Sequence, residues 1–297
     1  MKTMLRLLVA AGIVAAAMLV PVTGLAGESV DETVEMTENG LVRVENLAGK
    51  VEFIGWDRSE VQIRGELGDH VEELEITPTS TGVTIRVRNS KNKRNVDGTD
   101  LYLRIPESAS IEADSVSADM TVSENRGESI LLNTVSGDLE IEASPQKLEL
   151  QSVSGDVEFE GSSVRATVET VSGEIALVGP SGEVNVSTVS GDVSLEAGEI
   201  TRGRYESVSG DMTLTLSLAD EGRLSCDSMS GDIKLRLPGS QQAEFTAQSY
   251  SGSINSEFGK SDRVSRGPGE ILRYRVGDNG AQLRLETFSG DISIRSR

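Results

Sequence analysis

Thr134-Val135-Ser136-Gly137-Asp138-Leu139-Glu140-Ile141 is the stretch on which the fold turns. Near-copies begin at Ser115, Ser152, Thr170, Thr188, Ser207, Ser228, Ser249 and Thr287. Their central serines, Ser117, Ser136, Ser154, Ser172, Ser190, Ser209, Ser230 and Ser251, follow one another at steps of 18 to 21 residues. The last step, from Ser251 to Ser289, is 38 and reads as two steps of 19 with one motif missing. A fixed period in this range marks a solenoid, in which each coil packs only on its neighbours.

Apolar residues keep the same register. Two and four positions before each Thr or Ser stand pairs such as Ile130 and Leu132, Leu148 and Leu150, Val184 and Val186, and Leu283 and Leu285. After each corner stand Leu139 and Ile141, Val157 and Phe159, Ile175 and Leu177, and Val193 and Leu195. Both runs alternate with period 2, so each coil holds two short strands joined at a Ser-Gly-Asp corner. Phe53, Phe159, Tyr205, Phe245, Tyr250 and Phe288 fall in core columns, while Trp56, Tyr102, Phe258 and Tyr274 are dispersed. The expected fold is all-β: a parallel solenoid with coils of about 18–21 residues.

The corner residues have their own chemistry. Glycine is expected to supply a φ > 0, and Ser and Asp side chains to bond nearby backbone within the turn. Thr and Ser before the corner would stack as hydroxyl ladders, and Asp138, Asp156, Asp192, Asp211 and Asp232 would stack along one edge, interrupted by Glu174. Carboxylates roughly 4.8 Å apart repel by about 1 kcal/mol in water, which turn hydrogen bonds of about 1.5–3 kcal/mol offset without a metal.

The formal net charge of −20 argues against nucleic acid or an anionic membrane as partner. Acidity is concentrated in residues 105–254, with 26 Asp/Glu against 8 Lys/Arg, whereas 255–297 hold 6 against 8. The single cysteine, Cys226, sits in a core column and permits no intramolecular disulfide.

Residues 1–26 read as a cleavable signal peptide for export. Lys2 and Arg6 precede an apolar run from Leu7 to Val20, and Gly24 and Ala26 are the small residues three and one before a cut ahead of Gly27. Glu28 stands where a lipidated cysteine would be needed, so no lipid anchor and no stable membrane insertion are expected. Residues 27–110 form irregular first coils and a cap, with strands at Val61–Ile63, Leu74–Ile76, Val83–Val87 and Leu101–Ile105 and a polar loop holding Lys91, Lys93 and Arg94. Residues 111–254 are the regular coils. Residues 255–297 hold a hairpin or altered coil around Gly277-Asp278-Asn279-Gly280, then the last motif; Arg273, Arg275, Arg284, Arg295 and Arg297 suit a cap or the binding of an acidic surface, such as the acidic flank of a second molecule.

Asn46-Leu47-Ala48-Gly49-Lys50-Val51, Gly55-Trp56-Asp57, the run Asp100-Leu101 to Pro106, the serial Val-Ser-Gly-Asp motifs and Thr287 to Ile292 together carry a resemblance. They resemble a family of exported bacterial proteins with an adhesin-type β-strand-repeat domain of undefined function. The resemblance covers nearly the whole mature chain. It implies a single-stranded right-handed parallel β-helix with an envelope role, and it supplies no catalytic residues.

Three classes of function are weighed on these residues. The first is a non-catalytic envelope or surface protein, in the periplasm or beyond, that meets a protein, a glycan or a second copy of itself. The second is a cation module on the Asp ladder, although the glycine doublet of calcium β-rolls is missing and six or more oxygens per Ca²⁺ are required. The third is a polysaccharide-active enzyme, for which the sole histidine, His70, lies in a loop beside Gly68 and Asp69 without a GxSxG elbow. No phosphate-binding loop, dinucleotide fingerprint, CxxC or HExxH occurs, so no cofactor, metal or catalytic residue is assigned.

Overall fold

The computed structural model describes residues 20–22, 29–90, 98–264, 267–277 and 280–297. Among the described residues the chain is strand and turn throughout, without a helix. The signal segment read at 1–26 lies outside them except for Val20–Val22, whose backbone pairs antiparallel with Leu74–Ile76. Lys91, Lys93 and Arg94 also lie outside the described residues.

The periodic motif produces two stacks of strands in parallel register. On one stack Leu132, Leu150, Val168, Val186, Tyr205 and Cys226 occupy successive layers. On the other, Leu139, Val157, Ile175, Val193, Met212 and Ile233 do the same. These columns, and the apolar columns beside them, are buried in one continuous core. Each layer contributes about four such side chains, each worth roughly 1.5–3 kcal/mol on burial, and no layer can close its core alone. This is a solenoid-like all-β architecture.

Two details of the corner differ from expectation. The corner glycines Gly210 and Gly231 have the positive φ expected, at 141° and 159°, but none of Gly137, Gly155, Gly173 and Gly191 does. What excludes a side chain is the layer beneath: a Cβ on Gly155 would lie 2.1 Å from the Gly137 carbonyl oxygen, and one on Gly173 would lie 2.2 Å from that of Gly155. The glycines permit close approach of stacked backbones. The aspartates, in turn, bond across layers rather than within their own turn. Asp119 Oδ1 accepts the Asp138 N–H at 3.1 Å, Asp138 Oδ1 accepts that of Asp156 at 2.9 Å, and Asp156 Oδ1 accepts that of Glu174 at 2.8 Å. The hydroxyl column bonds to backbone only at its two ends, and the hydroxyls of Ser152, Thr170, Thr188, Ser207 and Ser228 between them are buried without a hydrogen-bond partner among the described residues. Ser115 and Thr134 accept the N–H of Ala118 and Gly137, and Ser249 and Thr287 donate to the carbonyls of Gly290 and Gly231.

Both ends of the stack are threaded. Leu41–Trp56 forms a layer in register with Ser110–Asn125, Ala48 lying against Ser117. Its other side carries Val83–Asn89 and Thr99–Pro106, which are closed by the antiparallel strands Val71–Pro78 and Glu60–Glu66. At the far end the 38-residue step is not a coil with a missing motif. The final layer, Ala281–Ser289 and Ile292–Ser296, inserts between the 212–237 layer and the Ala243–Ser256 layer that precedes it in sequence. Glu270–Val276 then lies antiparallel on the outer side of Ala243–Ser249, so it makes no hairpin with Ala281–Ser289. Phe258, dispersed in the sequence, stacks on Phe245 at 5.0 Å between centroids in this end region.

Candidate functional site

Strand parity decides which side chains reach solvent. Thr134 points inward with Leu132 and is buried, so Val135, one residue on, must point outward. The same holds in every layer. Val116, Val135, Val153, Val171, Val189 and Val208 are 45–47% exposed, Met229 60%, Phe288 62% and Tyr250 48%. Stacked in that order at roughly 4.8 Å per layer, they form one unbroken apolar row. Tyr250 and Phe288 therefore leave the core columns to which the sequence assigned them: both lie at the outward position between a buried Ser249 or Thr287 and an exposed Ser251 or Ser289. Their rings stack at 6.0 Å and 28°. Beside them a groove of about 440 Å³ runs along the row from Ser187 to Phe288, with Val189, Val208 and Met229 in its lining.

Polar columns border this row on both sides. Two residues before each apolar position, on the same outward face, stand Asp114, Asn133, Gln151, Glu169, Ser187, Glu206, Asp227, Glu286 and Gln248. Beyond the corner stand Asp119, Asp138, Asp156, Glu174, Asp192, Asp211, Asp232 and Asp291. Some of this charge is matched locally: Glu206 meets Arg204 at 2.6 Å, Glu286 meets Arg284 at 2.9 Å, and Asp211 meets Lys234 at 3.0 Å.

The corner ladder continues through the later layers. Asp192, Asp211, Asp232 and Asp291 accept the N–H of Asp211, Asp232, Asp291 and Ser253 respectively, at 2.8–2.9 Å. At Asp211 the Asp232 N–H, and after it the Lys234 ammonium, hold the carboxyl below its usual range against the opposing effect of burial. The depressed folded value means that this contribution is present above the unfolded Asp pKa of about 3.9 and is lost as pH falls through the lower folded value. Asp211→Asn keeps an acceptor for the N–H but removes the charge. We predict that the variant is less stable than the parent at pH 7 by at most about 1 kcal/mol, the solvent-exposed side chain screening the rest. The difference should vanish below about pH 2. Urea unfolding at both pH values checks this; an equal deficit at low pH would show that the charge contributes nothing.

The remaining residues singled out by the sequence stay apart. His70 lies in the Gly68–Val71 turn of the N-terminal end, where its carbonyl accepts the Ser90 N–H. Cys226 is buried beside Tyr205, and burial pushes both the thiol and the phenol well above their ordinary ranges. Trp56 Nε1 donates to the Glu60 carbonyl while the Arg58 guanidinium stacks over its ring at 4.9 Å, an arrangement that closes a corner. Arg275 pairs with Glu244 at 2.6 Å and Arg295 with Glu257 at 3.3 Å, both at the C-terminal end. Among the described residues no three His, Cys, Asp or Glu side chains converge to hold a metal ion.

A strand-repeat stack of this kind places the chain among the β-solenoid-like all-β proteins. The chain belongs to the Toastrack DUF4097 family, whose model matches residues 51–222 and 183–295. Similar solved structures include one described as a "putative adhesin" from Bacteroides fragilis NCTC 9343, at 15% identity over 91% of this chain and 97% of that one, with a TM-score of 0.47. Another, a "putative cell adhesion protein" from Clostridium sporogenes ATCC 15579, is 12% identical over 91% and 100%, with a TM-score of 0.26. A "putative lipid binding protein" from Parabacteroides distasonis ATCC 8503 is 9% identical over 91% and 98%, with a TM-score of 0.34. No protein of curated function matches the chain.

Proposed function

We propose that this chain is a non-catalytic interaction module of the bacterial envelope or surface, exported behind its N-terminal signal segment, and that it docks a partner along the outward apolar row. We further read the coils as one right-handed parallel β-helix, since connections between parallel strands of one sheet are right-handed in almost all cases.

The observation that carries the function is the unbroken row from Val116 to Tyr250. Soluble monomers scatter their exposed apolar residues, and a contiguous row of this length marks a contact surface. Charge selects the occupant. A second copy would set acidic columns against acidic columns, whereas a segment with an apolar face and basic flanks would match both borders. An amphipathic α-helix has a suitable pitch, about 5.4 Å per turn against about 4.8 Å per layer.

The test uses an 18-residue Leu/Lys peptide of amphipathic helical pattern and its same-composition scramble, titrated by fluorescence anisotropy. Binding is expected for the amphipathic peptide and should weaken at least ten-fold in the Val153→Ser/Val171→Ser/Val189→Ser variant. Equal binding of the scramble, or an unchanged affinity in the variant, would reject the row as the docking surface.

A further inference from the structure

A second surface lies on the same outward face, across the polar column that borders the apolar row, near the C-terminal end. Here the register gathers arginines in a chain that is otherwise strongly acidic. One column runs Arg204, Ser225, Arg284, Thr246, Arg273 through successive layers. The column beside it runs Arg202, Arg223, Gln282, Glu244. Together they line a groove of about 910 Å³, with Arg202, Arg204, Arg223, Arg273 and Arg284 against Asp227, Glu244 and Glu286.

Elsewhere on this protein a basic side chain on one layer usually faces an acid on the next: Arg43 meets Glu112 at 2.6 Å, Arg86 meets Glu45 at 2.6 Å, and Arg165 meets Glu183 at 3.4 Å. Within the groove Arg202 keeps such a partner in Glu183 at 3.9 Å, and Arg204 and Arg284 pair along their own strands with Glu206 and Glu286, but Arg223 and Arg273 do not. Arg202 and Arg223 lie directly opposite each other on adjacent layers, a like-charge pair that costs stability. Arg223 has Arg202 and Gln282 as its layer neighbours and Ser225 as its outward neighbour along the strand. Arg273 sits between Ile271 and Arg275 on the end strand and opposite Thr246. Among the described residues neither arginine forms an ion pair, so both guanidinia remain available to a ligand from outside the chain.

We propose that this groove binds a strand of acidic glycan, a linear sugar polymer carrying carboxylates at regular intervals. Three features define the chemistry. The donors are arginines, whose planar forks bind carboxylates bidentately. The groove is long, open and concave, which suits a polymer rather than a flat lipid surface. Arg204, Arg284 and Arg273 recur at every second layer, a period of about 10 Å, which is close to the length of one disaccharide unit in an extended β-linked chain. A glycan acidic on alternate sugars would present one carboxylate to each of the three, sharing the guanidinium with Glu206 at Arg204 and with Glu286 at Arg284. The groove does not share residues with the apolar row from Val116 to Tyr250, and the proposal does not rest on the function assigned to that row.

The experiment is isothermal titration of the full chain with a hyaluronan octasaccharide, acidic on every second sugar, at about 20 mM salt, where charge contacts are least screened. Saturable binding is expected, weakened at least ten-fold in Arg223→Ala/Arg273→Ala and unchanged in Arg165→Ala, which lies outside the groove. The row variant Val153→Ser/Val171→Ser/Val189→Ser should also bind normally, which keeps this result separate from the docking test above. Arg223→Gln alone alters one exposed side chain and repeats the test at smaller amplitude should the double variant fold poorly. The proposal is overturned if hyaluronan does not bind or if the arginine variants bind as tightly as the parent. It is equally overturned if a neutral chitin octasaccharide binds as well, or if inorganic sulfate at matched ionic strength displaces the glycan completely, which would leave a small-anion site only.

Discussion

Gly191→Ala will destabilise the layers on either side of it by about 3 kcal/mol, near the top of the range for overpacking, although it adds a single methyl group. The alanine Cβ would stand 2.1 Å from the Gly173 carbonyl oxygen, far inside any contact distance. The clash is with backbone, and that backbone cannot retreat. Asp192 on the corner itself is tied forward to Asp211 through its side chain at 2.8 Å, and the Gly191 N–H donates to the Ser209 carbonyl at 3.1 Å. Relief therefore requires prising two layers apart, which also strains the core columns that meet across them. Gly198→Ala is the matched control, since its nearest neighbours would be Ser181 Cβ at 3.5 Å and the Pro180 carbonyl at 3.8 Å, ordinary contacts. Urea unfolding of the two variants should separate them by more than 2 kcal/mol, with the control within about 0.5 kcal/mol of the parent. If Gly191→Ala matched the control, close stacking would not be the reason for glycine at this corner.

That glycine rule shows where the sequence speaks clearly and where it does not. Period 2 within strands and a period of 18 to 21 between them together specify which residues share a column, and the buried columns follow directly. Val116 to Tyr250 stand in plain view in the repeated motif, yet Val, Met, Tyr and Phe look like core by type. Parity held the missing signal: Thr134 has the same parity as Leu132, so Val135 has the opposite one. The glycan groove was less accessible still. Arg204, Arg284 and Arg273 are far apart in the chain, and only the threaded order of the last layers aligns them. That order has one local trace. Every corner aspartate from Asp192 onward accepts a backbone N–H from the next layer, and Ser253 replaces aspartate where no further layer follows. The terminal layer thus lacks the ladder acid although it is not last in sequence.

Deleting residues 281–297 should unfold more than it removes. This segment is the inner layer of the C-terminal end, with Ser228 against Thr287 on one side and Ser249 against Thr287 on the other. It buries Ala281, Leu283, Leu285, Ile292 and Ile294, and the four large side chains alone contribute roughly 6–12 kcal/mol of gross apolar burial. It also completes the corner ladder, Asp232 accepting the Asp291 N–H at 2.9 Å and Asp291 accepting that of Ser253 at 2.8 Å. Without it, Ala243–Ser249 retains only the antiparallel Glu270–Val276 strand as a partner, and a two-stranded ribbon is marginal in water. Stability in a stack is passed between neighbours, so Leu41–Leu237 should persist. Hydrogen exchange should therefore show protection kept through residue 237 and lost across 243–276, and a synthetic 281–297 peptide should restore it in trans. The alternative is that the 243–256 layer drops directly onto the 212–237 layer, which the equal steps of 21 from Ser209 to Ser230 to Ser251 would allow by register. Protection retained over 243–256 in the truncated chain, without added peptide, would establish that outcome and show that the inserted layer is dispensable. The corner chemistry would permit that outcome, since Ser253 could bond Asp232 as it now bonds Asp291. What opposes it is that the 243–256 layer pairs with the rest of the stack only through the inserted layer, so every cross-layer pair would have to form anew.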